Sequence, residues 1–166
     1  VMNFTGEADQ ADDITILAVE FGGESKDECS LVSTITINNR LSEIEAANNK
    51  FKNFADQCGI SGAVQTRMYL VLDEILNNII SYAYKDLEEH EIEIKFERTG
   101  RRLVISIADD GTPFNPFSAA QPDTGLAMED RGVGGLGVHL VRNMMDECSY
   151  HRHIDKNLVV LVKCLE

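Results

Sequence analysis

The sequence predicts a two-layer α+β sandwich, a mixed or antiparallel sheet with helices on one face. Three observations carry that expectation. Strand-like segments come in neighbouring pairs, two amphipathic helical segments follow the first pair, and a Gly- and Pro-rich loop runs straight into a third helix. The order is β-β-α-α-β-β-loop-α-β-β, whereas a doubly wound parallel sheet would alternate strand and helix. With 166 residues, 43% of them hydrophobic, the chain has enough apolar material for a real core.

Residues 14–21 (ITILAVEF) are β-branched and apolar and read as the first strand, followed by a polar, Gly-led linker at 22–28. Residues 29–37 (CSLVSTITI) read as the second strand. Leu41, Ile44, Ala47, Phe51, Phe54 and Cys58 then recur at steps of three or four, an amphipathic helix entered from Asn38-Asn39 and stopped at Gly59. Ser61 is placed to cap a second helix of about twenty residues. Its buried side would carry Val64, Met68, Leu72, Ile75, Leu76, Ile79 and Ile80. Strands at 90–98 and 102–109 form a hairpin through Thr99-Gly100-Arg101, and the second is so continuously apolar that it should be central. All three prolines and six of the twelve glycines fall within 111–137, a loop long enough to suggest a functional lid. The helical pattern VHLVRNMMD follows it, and two last strands, 147–153 and 157–165, are expected to turn at Asp155-Lys156-Asn157.

Fifteen basic against 28 acidic side chains leave a formal charge of −13, and residues 1–28 hold eight acids against one lysine. Such a surface repels phosphate backbones and anionic headgroups, so nucleic acid and membrane are excluded as partners. No apolar run reaches the roughly 18 residues of a membrane helix. The four cysteines (Cys29, Cys58, Cys148, Cys164) are scattered and read as reduced core thiols of a cytoplasmic protein. His151 and His153 alternate along a strand but are too few for a metal site. His139 follows the Gly-rich loop, which places it either near what that loop binds or as a packed or capping residue of the helix.

Three elements are able to carry chemistry. Gly132 to Gly137 open a helix, so free N–H groups and the positive helix end face an anion. Gly134, Gly135 and Gly137 let a phosphate approach, although a tight helix entry would use the same residues. On the second helix, Glu74 and Asn78 lie four apart on one face. A carboxylate there suits a general base and a carboxamide oxygen suits Mg²⁺. The plain alternative is the solvated edge of an amphipathic helix, and Asn77 is placed nearly as well as Asn78. Third, Asp109 ends the central strand ahead of Gly111. It can accept a hydrogen bond from an exocyclic amine such as adenine's, or simply begin a turn.

Taken together, Glu-x₃-Asn, Asp-x-Gly, a Pro/Gly-rich segment and Gly-Gly-x-Gly in this order resemble the GHKL ATPase superfamily of gyrase and the sensor histidine kinases. That superfamily has the Bergerat, histidine-kinase-like ATPase fold. DGTPFNP and GGLGVHLVRNMMDE are most similar to the anti-sigma-factor serine kinases of bacterial partner switching, over about residues 29–166. The resemblance implies Glu74 as catalytic base, Asn78 as Mg²⁺ ligand, and Asp109 with Gly111 at the adenine. It also implies Gly135 and Gly137, with Gly134 adjoining, at the phosphates of ATP. It favours Asn78 over Asn77. Pro113 stands where many members have a second glycine, and Tyr82 where relatives often have histidine.

Residues 1–21 resemble the last strand of sporulation stage II protein E type metal-dependent phosphatases, whose DDIT word matches Asp12-Asp13. Residues 1–28 are therefore expected to be the end of an upstream phosphatase domain plus linker, and 29–166 the kinase domain. Asp12-Asp13 alone lack the partner carboxylates a divalent site needs. The expected function is an ATP- and Mg²⁺-dependent protein-serine kinase. Its implied substrate is a STAS-domain anti-sigma-factor antagonist, with a sigma factor as alternate partner and a homodimer as the form relatives often take. The alternative is a nucleotide-binding regulatory module that gates an upstream phosphatase or binds a partner without transferring phosphate. A sensor histidine kinase is disfavoured because the 41–58 helix contains no histidine.

Overall fold

The computed structural model describes residues 30–118 and 135–166. The chain order is β1 (Ser30–Asn38), a 3₁₀ turn (Leu41–Glu43), α1 (Ile44–Gln57), α2 (Gly62–Tyr82), β2 (Glu91–Thr99) and β3 (Arg102–Asp109). Then come α3 (Gly135–Met144), β4 (Glu147–His153) and β5 (Lys156–Cys164). The five strands form one sheet in the order β1-β2-β3-β5-β4, with every pair antiparallel. The strand expected at 14–21 lies outside the described residues.

Period-two alternation sets which side is buried. Ile37, Ile92, Ile94, Phe96, Leu103, Ile105, Ile107, Val159 and Leu161 are inward and essentially inaccessible. On the other face Val32 and Leu158 are exposed. Phe51 and Phe54 of α1 meet Phe96 of β2 with ring centroids 5.3 and 5.9 Å apart, and Tyr69 of α2 stands edge-on to Phe51 at 5.9 Å. One core thus joins the helical layer to the sheet. β3 is central, as its continuous apolar character predicts.

The α1–α2 corner shows why the helix stops where it does. Gly59 takes a left-handed conformation (φ 64°), its N–H bonds the Asp56 carbonyl, and the Ile60 N–H reaches back to the Ala55 carbonyl. These two reversed bonds satisfy carbonyls the helix end would otherwise orphan.

Several expectations need correction. Leu41 is 57% exposed because the chain makes a 3₁₀ turn first and the α-helix begins only at Ile44. Ser61 occupies the N-cap position of α2 with extended geometry, but its side chain makes no cap bond; its carbonyl instead accepts from the Gln65 N–H at 3.0 Å. Cys164 is exposed, while Cys58 and Cys148 sit half-buried at the core edge. The β4–β5 turn is Ile154-Asp155, since His153 pairs with Lys156 and Arg152 with Asn157. Asn157 is therefore a strand residue facing inward, and its consequence appears below.

Candidate functional site

Glu74 projects from α2 toward the start of α3, and Asn78, one turn on, is bonded to it. Asn78 is 8% exposed, and its Nδ2 donates to Glu74 Oε1 at 2.7 Å and to the Glu74 carbonyl at 2.8 Å. That fixes the carboxamide by its nitrogen end, so the amide oxygen is the end suited to a hard cation. Asn77, the other asparagine the spacing allowed, is exposed and accepts from Ser81 Oγ at 3.2 Å. Among the described residues no cluster of three or more His, Cys, Asp or Glu could hold a metal by itself. A divalent ion here would need oxygens from its ligand in addition to Asn78.

The same carboxylate lies against the first turn of α3. A Cβ at Gly137 would overlap the Glu74 carboxyl group, so the carboxyl keeps this position against the helix start only with glycine there. The placement also puts the negative charge of Glu74 at the positive end of a helix. Gly135 begins the helix, and Gly134 lies outside the described residues. His139 is half-buried on α3, and His151 and His153 are exposed on the edge strand β4.

Asp109 closes β3 and is 3% exposed. Its Oδ1 accepts from the Gly111 N–H at 2.9 Å and from Asn157 Nδ2 at 2.7 Å. Burial raises its pKa, opposed by these two hydrogen bonds; the neighbouring Asp110 raises it further and Arg152 lowers it. Gly111 is wedged: an added Cβ would stand 2.8 Å from Ala83 Cβ and 2.9 Å from the Ala83 carbonyl. That carbonyl also accepts from the Thr112 N–H at 2.7 Å and from Thr112 Oγ1 at 2.9 Å.

The Pro/Gly-rich segment read as a lid, 112–133 within the loop of 111–137, is tied to the body in its first residues. Thr112 is bonded to the end of α2, Phe117 is buried, and the Phe117 carbonyl accepts from Arg142 Nη2 of α3 at 2.6 Å. Residues 112–118 belong to the body, and the rest of the segment to 133 lies outside the described residues. Tyr82, which stands where relatives often have histidine, is exposed with its ring 5.7 Å from that of Phe114.

Sequence reasoning missed Asn157, Tyr150 and Arg152. Asn157 is 1% exposed and directly opposite Asp109 in the β3–β5 register. Tyr150 OH donates to its Oδ1 at 2.7 Å and Arg152 Nη1 at 2.9 Å, while Arg152 also reaches the Gly111 carbonyl at 2.7 Å. The available signal was the inward row Asn157, Val159, Leu161, in which one polar residue heads an apolar face. Tyr84 and His90 were missed as well. Their rings stack at 4.7 Å, and His90 contacts Asp86 at 3.0 Å and Asp110 at 3.1 Å through its two nitrogens.

The described residues thus combine a two-layer fold, a buried carboxylate at the end of the central strand, and an acid–amide pair on a helix whose acid faces a glycine helix start. The model of the histidine kinase-like ATPase domain matches residues 37–163, so the chain belongs to that family. It is 32% identical over 101 residues to the serine/threonine-protein kinase BtrW of Bordetella bronchiseptica, covering 61% of this chain and 71% of that protein. It is 30% identical over 89 residues to the serine-protein kinase RsbW of Bacillus subtilis, 51% of this chain and 55% of the relative. The RsbW of Bacillus mycoides is 30% identical over 113 residues, 65% of this chain and 68% of the relative. The chain thus spans between about half and three quarters of these relatives. Residues 1–21, where the end of a phosphatase domain is expected from the sequence, lie outside both the span the family model matches and the described residues. No described helix is long and apolar enough to cross a membrane.

Proposed function

We propose that the chain is an ATP-dependent protein-serine kinase of the anti-sigma-factor type. The observation that carries this reading is the Glu74–Asn78 pair drawn against Gly137. A module that only held nucleotide would need the base site at Asp109, not a carboxylate poised at a helix start.

In this reading Asp109 and Gly111 receive adenine, and the opening turn of α3, with Gly134, Gly135 and Gly137, receives the phosphates. Asn78 would contribute its amide oxygen to Mg²⁺, whose chemistry when bound is to neutralise phosphate charge. Glu74 accepts the proton of the substrate serine as its Oγ bonds to the γ-phosphorus. The bond from that phosphorus to the bridging oxygen breaks, and its electron pair leaves with ADP. The substrate is a serine on a STAS-domain antagonist, and a sigma factor is the alternate partner; both rest on the family likeness.

The test is phosphate transfer from labelled ATP to such an antagonist, read as acid-stable phosphoserine. Glu74→Ala should keep ATP affinity and lose transfer by about 10²- to 10⁴-fold, the usual weight of a general base. Transfer by Glu74→Ala at the wild-type rate would show the base to be misassigned. Nucleotide binding with no transfer by the wild type would favour a module that gates its partner by occupancy alone.

A further inference from the structure

The buried polar network behind Asp109 is larger than a turn requires. A carboxyl group surrounded by apolar atoms is driven toward its protonated form, in which it donates a hydrogen bond. Ionised, it only accepts. These two forms select opposite partners: the acceptor fits the 6-amino group of adenine, the donor fits the 6-oxo group of guanine.

The orientation of Asn157 decides which form is favoured. Arginine has no acceptor, so Arg152 Nη1 at 2.9 Å must face the amide oxygen of Asn157. The hydroxyl of Tyr150 lies on that same oxygen. The amide nitrogen is thereby forced toward Asp109 Oδ1 at 2.7 Å, with the Thr112 and Gly111 carbonyls at 3.1 and 3.3 Å taking the rest of its donor capacity. Asn157 is thus locked from behind by two donors, and Asp109 Oδ1 receives two N–H groups.

We propose that Asn157 is a positioning residue for base selection: its amide, with the Gly111 N–H, holds Asp109 as an acceptor, so the site takes a 6-amino purine and rejects a 6-oxo purine. This rests on the reading of Asp109 as the base-binding residue. The charged and titratable groups around Asp109 are Asp110 beside it, Arg152 from β4 and Tyr84 from the segment after α2. Asp110 opposes ionisation and Arg152 supports it.

The experiment titrates ATP·Mg and GTP·Mg into the full chain between pH 5 and pH 8, in the wild type, Asn157→Leu, Asn157→Asp and Asp109→Asn. Asn157→Leu removes the donor; Asn157→Asp keeps the shape, sets a second carboxyl against Asp109, and serves if the leucine variant fails to fold. Both should lose ATP affinity by roughly tenfold or more, as expected for a hydrogen bond to a charged group. Both should also narrow the preference for ATP over GTP and move the acid limb of ATP binding to higher pH. Parallel loss of ATP and GTP with an unmoved pH profile would overturn the proposal, because that is what simple loosening of the site does. Unchanged ATP affinity in Asp109→Asn would instead overturn the base-site reading on which it rests.

Discussion

The two ends of the site are built by different means. At the Asp109 end, the carboxylate sits on the central strand and is gripped by a side-chain donor from β5 and a backbone donor from the turn after Asp109. Those donors are themselves fixed by Tyr150, Arg152 and the carbonyls of Gly111 and Thr112. At the Glu74 end, one side chain–side chain bond from Asn78 and close packing by Gly137 hold a half-buried carboxylate between two helices. A rigid end suits recognition of a flat base, where misplacement costs affinity. A more lightly held end suits a group that must accept and release a proton. Two carboxylates of one domain thus differ in burial and in the number of hydrogen bonds that hold them, and the proposed division between a base-selecting and a reacting group rests on that difference.

The largest effect should come from the lightly held end. Gly137→Ala places a methyl where the Glu74 carboxyl now lies, and that carboxyl is the far end of a flexible side chain that can swing away. Phosphate transfer should therefore fall by about 10²-fold or more, with ATP affinity and melting temperature little changed. A Gly137→Ala enzyme that melts early but transfers normally would reverse the comparison.

At the rigid end the same type of change should act on stability instead. In Gly111→Ala the new methyl meets Ala83 Cβ and the Ala83 carbonyl below 3 Å. Neither can rotate away, so unfolding free energy should drop by about 1–3 kcal/mol, measured by denaturant titration. A cost near zero would mean that the turn at 109–112 is softer than its hydrogen bonds imply.

Acid should act on the Asp109 end directly. Burial holds the Asp109 pKa above its ordinary 3.8. ATP affinity should therefore weaken on acidification as pH falls through that raised value, before an ordinary carboxylate would protonate. A profile flat down to the ordinary carboxylate range would remove Asp109 from base recognition.

The smallest effect lies just outside the base end. The hydrogen bond from His90 to Asp86 raises its pKa, as does Asp110 on the other nitrogen. A raised histidine adds stability that is fully present below its unfolded value of about 6.5 and is lost as pH rises through the folded value. The pH-dependent part of the stability difference between wild type and His90→Gln should thus be greatest at mildly acid pH and vanish at alkaline pH, leaving only the pH-independent loss of the stack on Tyr84. The pH-dependent part should stay under about 1 kcal/mol, because both carboxylates are about half exposed. A difference that grows with pH would show that His90 is held as the neutral ring.

How much of this was readable in advance follows from the range of each signal. The β2–β3 hairpin, α2 and the central place of β3 rest on local alternation and on Gly100, whose φ of 57° the turn demands. Glu74, Asn78 and Asp109 stood out because each is polar at the edge of an apolar pattern. Choosing Asn78 over Asn77 by residues alone was not feasible, since one helical step separates them; the fold buries one and leaves the other exposed. Asn157 was misread as a turn residue because Asp-Lys-Asn is ordinary turn chemistry. What overrides it is the register of β5 against β3, a long-range pairing. The real turn uses Ile154 at φ 53°, a conformation that β-branched residues rarely adopt and that no local rule would select.

The most direct test of the account is calorimetric titration of ATP with Mg²⁺ into the wild-type chain and into Asp109→Asn. The account predicts a single saturable site in the wild type and at least tenfold weaker binding in the variant, with little change in melting temperature. Equal affinities in the two proteins, or no binding by either, would contradict it.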